Sequence, residues 1–370
     1  MRFHLSPKAK RNISRIIPFG IIWFFLGNIF LYVEIAALGD SAAVATSAIQ
    51  INFQIYIFAS LAVIMVGLLV GSIEVIYLSN RFNDKSLSQK IIYKTIIYIL
   101  FLFIIILITF PVAASLELNT SVLDPIVWEK YLVFLKSKTF ISTNVQLAVE
   151  LLVSLFYFEI SENMGHNVMI KFLSGRYHEP TQERRVFMFL DMRSSTSNAE
   201  KLGHLQYFEF LKTYYKDLSD SIIEYEGEIY QYVGDEIIVS WPLEKGIANF
   251  NCIRCFLTMK ADLQSRSDLY LKTFGLEPSF KAGLHCGDVT SGEIGALKKE
   301  IIYTGDTLNA TSRIQSLCNA YKVDILLSEE LIQVLPSSSD FQFTSLGQTV
   351  LKGKKENVVL FTINTLKDIR

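Results

Sequence analysis

The chain has 370 residues, 51 % of them hydrophobic, and its 35 Lys and Arg against 36 Asp and Glu leave a formal net charge of −1. That balance excludes a bulk basic field of the kind that recruits nucleic acid, and the length suits two domains better than one. The mean hydropathy of +0.33 is high for a soluble protein. Apolar residues concentrate before residue 165 and charges after it, as expected of a chain that meets lipid first and water second.

Four stretches, 16–38, 51–78, 91–114 and 140–160, reach the length of about 20 apolar residues that a bilayer requires. The last is the weakest, since it holds Asn144, Gln146, Glu150 and Glu159. The first has too long an apolar core, and no suitable cleavage site, for a signal peptide. Lys8, Lys10, Arg11 and Arg15 precede it, Arg81, Lys85 and Lys90 lie between the second and third stretches, and the loop 41–50 carries no Lys or Arg. The positive-inside rule therefore expects a multi-pass protein of the cytoplasmic membrane, bathed in lipid, whose chain returns to the cytosol before Gly165. Glu34, Glu74, Glu150 and Glu159 fall in or near the span ends. Those near the ends are expected to reach headgroups or water, with Glu150 the main candidate for a buried role. Residues 115–139 read as a short loop with no ligand domain.

The division expected is a helical membrane domain over 1–160, a linker over 161–184 and a second domain over 185–365. In the linker, VMIKFLSG reads as a short amphipathic helix ended by Gly175, and Pro180 marks the boundary. Residues 185–191 (RVFMFLD) form a strand pattern. Residues 196–225 have helical periodicity, with Leu202, Leu205, Phe208, Leu211, Tyr215, Leu218 and Ile222 on one face. In EIYQYVGDEIIVSW two β-rich runs flank Gly-Asp, a hairpin signal. A helix over 244–274 and a strand over 279–286 complete a β-α-β-β-α-β order, the α+β ferredoxin-like palm. A glycine-rich stretch follows (Gly283, Gly287, Gly292, Gly295), then a helix from about Asp306, the strand VDILLS, a short helix and two strands around LKGKKEN. Cys252 and Cys255 form a CxxC, but no second ligand pair completes a zinc site, so core packing is expected for both.

Two aspartates stand at informative places: Asp191 ends the first strand and Asp235 sits at the hairpin tip. Alone, one is a helix cap and the other a turn residue. Together in a palm they face each other, and two facing carboxylates suit Mg²⁺, which binds through one or two carboxylates plus substrate phosphates. The backbone N–H groups of Ser194, Ser195 and Thr196, at a helix start, suit phosphate. Asn309 and Arg313 are four apart on one helix face, and Lys352 lies in the LKGK loop. An amide and two cations suit a developing phosphoryl charge, although alone they read as a solvated face and a charged turn.

These motifs resemble the class III adenylate/guanylate cyclase catalytic domain, of the membrane-anchored bacterial type, over about residues 183–364. FLDMRSST matches the first metal motif, with Ser194-Ser195 replacing the usual Gly-Phe; YVGDEIIV matches the second; LNATSR, preceded by Gly305, matches the N-x-x-x-R helix; LKGK matches V-K-G-K. The resemblance implies conversion of ATP to 3′,5′-cyclic AMP and pyrophosphate. It implies two Mg²⁺ or Mn²⁺ on Asp191 and Asp235 with help from the Met192 carbonyl, Asn309 and Arg313 on ribose and transition state, and Lys352 on the triphosphate. It further implies a homodimer with two sites, each drawing the aspartates from one subunit and Asn309, Arg313 and Lys352 from the other. The purine-reading positions fall on Gln231, where Lys or Glu is usual, and on Ile302, so ATP is favoured and GTP stays open. Two alternatives remain: a guanylate cyclase of the same fold, or a membrane receptor with a catalytically weak nucleotide-binding domain. A GGDEF-type diguanylate cyclase fits less well, because Val233 replaces its first Gly and it does not account for LNATSR or LKGK.

Overall fold

The computed structural model describes residues 5–38, 49–79, 81–82, 85–165, 169, 175, 179–297, 299–337, 340–353 and 357–365. The chain divides into two compact units, Ala9–Ile170 and one made chiefly of Lys171–Arg370. The loop 41–50, apart from its last two residues, and most of VMIKFLSG lie outside the described residues.

The first unit is helical: α1 (Pro7–Leu38), α2 (Phe53–Ile73) continuing into a π-helical turn (Glu74–Leu78), α3 (Leu87–Leu118), α4 (Pro125–Leu135) and α5 (Lys138–Met164). Four of these helices are long and apolar enough to cross a membrane, the one ending the unit being the least apolar, as expected. Phe19 and Trp23 of α1 pack against Val66 and Val70 of α2, Tyr98 and Leu102 of α3, and Leu155 and Phe158 of α5. The close approach needs glycine: a Cβ on Gly67 would lie 2.7 Å from Cγ of Trp23.

Two expectations about this unit are corrected. Residues 115–139 are not merely a loop, because α4 forms there, with Asp124 capping the Ile126 N–H and Pro125 at its first turn. Val127, Tyr131 and Phe134, at helical spacing, pack on Ile106, Phe110 and Ala114 of α3. The acids near the span ends do not all reach water. Glu74 and Glu159 are buried, and each lies 2.5 Å from Nζ of buried Lys94. Tyr98 donates to Glu74 at 3.1 Å. A cation from α3 replaces the headgroup, as a buried acid requires.

The second unit is built on a sheet in the order β2-β3-β1-β4-β6-β8-β7, with β5 paired to β4. The strands are β1 (Thr181–Met192), β2 (Glu228–Val233), β3 (Glu236–Pro242), β4 (Phe280–Ile294), β5 (Glu300–Thr304), β6 (Ile325–Ser328), β7 (Phe341–Val350) and β8 (Asn357–Thr365). The run β2-β3-β1-β4 is the expected palm. Helix α6 (Ser195–Glu224) follows β1; α7 (Leu243–Ile247), α8 (Asn251–Ser265) and α9 (Ser267–Phe274) lie between β3 and β4; α10 (Asp306–Ser316), α11 (Cys318–Tyr321) and α12 (Glu329–Val334) come later.

β1 alternates as a two-sided strand must. Val186, Met188 and Leu190 enter a core with Phe210, Tyr214 and Leu218 of α6 and Phe256 and Met259 of α8. Phe187 and Phe189 take the other face with Ile238, Val289 and Tyr303. β1 begins at Thr181, earlier than its apolar run, because the polar residues Gln182–Arg184 pair with the far end of β4. The expected apolar face of 196–225 is partly wrong, since Leu205 and Phe208 are exposed. Gly203 breaks α6 with φ 70° and resets which residues face the core. The helix expected over 244–274 is likewise broken, by Asn249 and Phe250 in the left-handed region. All four cysteines are buried and free, and burial pushes the Cys252 thiol up to about 12, which agrees with core packing.

Candidate active site

β1 and β3 are antiparallel neighbours, with Asp191 opposite Glu236. The two-residue Gly234-Asp235 turn therefore carries Asp235 back beside the end of β1. Gly234 adopts φ 63°, which a glycine meets without strain. The Tyr215 hydroxyl of α6 donates to the Gly234 carbonyl at 2.5 Å and fixes the tip.

The two carboxylates act on each other. Burial pushes Asp235 above the usual carboxylate range; a hydrogen bond with Ser195 opposes this, and the charge of Asp191 adds to it. Oδ2 of Asp235 is buried without a hydrogen-bond partner. Asp191 is better supplied: its Oδ2 accepts from Nε2 of Gln315 at 3.1 Å and lies 3.2 Å from Nζ of Lys281. Burial, then Asp191 and Asp235, raise Glu236 to about 7. Converging acids with an orphaned buried oxygen fit a hard divalent cation such as Mg²⁺ or Mn²⁺. The Met192 side chain is buried, with Nδ2 of Asn198 3.9 Å from its sulfur, so only the backbone of Met192 is left to help.

Ser194 has φ 57° and precedes α6 without a side-chain cap. Ser194 and Thr196 are exposed, whereas Ser195 is held to Asp235.

A second group forms around α10. Gly305, with φ 147°, starts the helix, and Thr307 donates to the Asp288 carbonyl at 2.8 Å. Ala310 and Ile314 are buried with Leu326, Leu351 and Leu360. Leu351 thus fastens the LKGK loop to the same helix. Gly353, with φ 79°, has no Cβ where one would sit 3.5 Å from Nη2 of Arg313. Lys352 and Asn309 are exposed and Arg313 is half-buried. Arg313 and the 352–353 turn are therefore brought together, and Asn309 shares their helix face. Lys354 lies outside the described residues.

Gln231 is exposed, opposite Ile238 after an irregularity in β2, and half-buried Ile302 is opposite Gly292. Their immediate neighbours join the two strands. The Tyr303 N–H donates to the Tyr230 hydroxyl at 3.2 Å, and the rings lie 5.0 Å apart. The buried Arg185 guanidinium lies 4.8 Å from the Tyr303 ring and donates to Glu228 and Ser240 at 2.8 and 3.0 Å.

Sequence reasoning missed Lys281, Gln315, Glu236 and the Tyr230–Tyr303 pair. Glu236, next to Asp235 in the hairpin, and the tyrosines, next to the purine positions, carried an adjacency signal. Lys281 and Gln315 carried none, since only strand register and helix packing bring them to Asp191.

Comparison with known proteins agrees with this geometry. The profile of the adenylate and guanylate cyclase catalytic domain matches residues 177–365. Adenylate cyclase 2 of Rhizobium meliloti (strain 1021) is 33 % identical over 209 residues, covering 56 % of this chain and 58 % of that protein. The adenylate cyclase of Anabaena cylindrica is 28 % identical over 187 residues, covering 49 % of this chain and 36 % of that protein. The chain thus spans little more than half of the first relative and about a third of the second. A bacterial light-regulated adenylyl cyclase has the same fold, with a TM-score of 0.52 and 21 % identity over 60 % of this chain and 64 % of that one.

Proposed function

Because the chain belongs to the adenylate and guanylate cyclase catalytic-domain family, we propose that it is a membrane-anchored adenylate cyclase that converts ATP to 3′,5′-cyclic AMP and pyrophosphate. The observation that carries this reading is the Asp191–Asp235 pair with its orphaned oxygen. The 3′-oxygen bonds to the α-phosphorus, the bond to the departing pyrophosphate breaks, and the 3′-hydroxyl proton leaves. Asp191 and Asp235 hold two divalent cations, assisted by the Met192 carbonyl. Such cations, Mg²⁺ or Mn²⁺, supply charge neutralisation and an acidified hydroxyl when bound. Ser194, Ser195 and Thr196 offer backbone N–H groups to phosphate. Asn309 orients the ribose, Arg313 meets the charge that develops on the phosphoryl group, and Lys352 holds the triphosphate. Gln231 reads the purine edge and Ile302 walls it.

The functional site is shared in a homodimer. Gln315, on the helix that carries Arg313, lies on Asp191, and Arg313 is two residues or about 200° round that helix. Arg313 of one copy is thus directed away from its own Asp191 and serves the aspartates of a second copy. The helical unit sits in the cytoplasmic membrane among lipid, with the second unit in the cytosol, where nucleoside triphosphates are.

The test is a product assay on the purified full chain with Mn²⁺, ATP and GTP side by side. Cyclic AMP is expected as the main product, with some cyclic GMP because half of the purine wall is apolar. Absence of any cyclic nucleotide would overturn the reading in favour of a binding-only domain. Cyclic GMP alone would make the chain a guanylate cyclase.

A further inference from the structure

Glu236 opens β3 directly after Asp235, and the strand register sets it opposite Asp191 of β1. Residues directly opposite in an antiparallel pair have Cβ atoms about 4.5–5.5 Å apart on one face of the sheet. The neighbouring pairs fix which face this is. Leu190 and Ile237 are buried in the core with α6 and α8, whereas Phe189 and Ile238 pack on the other side with Tyr303. Alternation therefore puts Asp191 and Glu236 on the Tyr303 side. Lys281 of β4 pairs with Asp191 from its other flank. Glu236, Asp191 and Lys281 thus form a row across three adjacent strands, and Gln315 donates to the middle member.

The charges of the row do not balance the task of the site. Nζ of Lys281 lies 3.2 Å from Oδ2 of Asp191 and offsets one of the two aspartates. Asp191 and Asp235 alone would then set one net negative charge against two divalent cations. Glu236 supplies a second. Its half-buried side chain makes no hydrogen bond or ion pair among the described residues, and the charged groups acting on it are Asp191 and Asp235, both of its own sign. Oδ2 of Asp235 is buried beside it without a partner. Converging acids of this kind repel one another unless cations lie between them. We propose that Glu236 is the third carboxylate of this centre, an oxygen ligand to a Mg²⁺ or Mn²⁺ ion held with Asp191 and Asp235. Three carboxylates over two ions stay within the one or two that each Mg²⁺ ordinarily takes. The inference rests on the cation reading of the centre and adds a ligand to it.

The experiment uses the full chain, stripped with EDTA and held in lipid nanodiscs without nucleotide. Bound Mn²⁺ is counted from the paramagnetic resonance signal of the free ion, against empty discs. Asp235→Asn, Glu236→Gln and Glu236→Asp accompany the parent, and the last keeps the charge but withdraws it by one methylene. Saturable Mn²⁺ binding to the parent is expected, weakened by at least about tenfold in Glu236→Gln, the least that loss of even an outer partner of a metal site typically costs. Glu236→Asp should also bind more weakly than the parent, because metal–oxygen distances tolerate little stretch. A loss of less than about tenfold in Glu236→Gln, beside weakened binding in Asp235→Asn, would overturn the proposal and leave the cyclase reading standing. Undiminished binding in both would overturn it and also take the cations away from Asp235. Parental affinity in Glu236→Asp would make Glu236 a charge acting at a distance, which overturns the proposal as well. Thermal unfolding in EDTA identifies a Glu236 variant that fails to fold, and the other then decides; failure of both would make Glu236 a structural residue and overturn the proposal. So would absence of binding by the parent, and the product assay would then decide the cyclase reading by itself.

Discussion

Gln315 donates from Nε2 to Oδ2 of Asp191 at 3.1 Å, so the helix that carries Arg313 also holds the strand-end aspartate of its own chain. The contact depends on Gly283 of β4, where a Cβ would lie 2.4 Å from the backbone nitrogen of Gln315. The helix rests directly on the sheet, and its two faces take different tasks. One orients Asp191, and the other presents Asn309 and Arg313 beside the LKGK turn.

Two substitutions around Asp191 should move metal affinity in opposite directions. Gln315→Met removes a donor that orients the carboxylate, and such outer partners are worth about 10–100-fold in metal affinity. Lys281→Met removes an ammonium that competes with a cation for the same oxygen. Mn²⁺ titration of thermal unfolding, read without substrate, should show a higher half-saturation for the first and a lower one for the second. Shifts in the same direction would show that these contacts serve packing rather than the cation.

Asp191→Ala and Arg313→Ala should each abolish turnover, yet recover it when co-refolded or co-expressed. A heterodimer keeps one site with both groups intact, so random pairing restores about a quarter of parental activity. No recovery, with heterodimers demonstrated, would place Asp191 and Arg313 in one chain's site.

Much of this architecture could be read from residue order because its signals are local. The apolar runs gave the spans, and Gly234-Asp235 between β-rich runs gave the hairpin, which in turn placed Asp235 beside Asp191. What could not be read depends on contacts distant in sequence or on single backbone angles. Gly203 at φ 70° turned Leu205 and Phe208 out to solvent although their spacing matched a core face. Glu74 and Glu159 looked like headgroup-facing acids until Lys94, remote from Glu159 in sequence, came between them. The Arg313–Gly353 contact followed from Leu351 entering the core beneath α10, which no motif records.

Asp235→Asn should stabilise the metal-free protein while removing activity. Burial disfavours the charge of Asp235 and Asp191 repels it, so a neutral amide relieves both. With EDTA present, a rise in Tm is expected. Mn²⁺ should then raise the Tm of the parent but not of the variant. A variant less stable than the parent in EDTA would mean that the bond between Asp235 and Ser195 outweighs burial and the repulsion by Asp191, and that the site is not held open for a cation.

Tyr230→Phe should alter purine selection without altering chemistry. The Tyr230 hydroxyl accepts the Tyr303 N–H at 3.2 Å, tying β2 to β5 at the residues next to Gln231 and Ile302. The ring contact at 5.0 Å and the Arg185 guanidinium over Tyr303 survive the substitution, so the fold should hold, at a cost of about 0.5–1.5 kcal/mol for one hydrogen bond. What changes is the spacing between Gln231 and Ile302, the proposed reader and wall of the base. A polar reader discriminates only when it meets its partner squarely, whereas an apolar wall contributes about 1–3 kcal/mol at most. The ratio of kcat/KM for ATP over GTP should therefore shift by at least about threefold, carried by KM, with kcat changed by less than about twofold. Gln231→Lys should sharpen the preference for ATP and Gln231→Glu should move it toward GTP, and both effects should shrink in the Tyr230→Phe background, because the pair acts through the position of Gln231. An unchanged ratio in Tyr230→Phe, with Gln231 substitutions still effective, would mean that the tyrosines support the sheet and leave the base pocket alone. Unchanged ratios in all three would remove Gln231 from the pocket altogether.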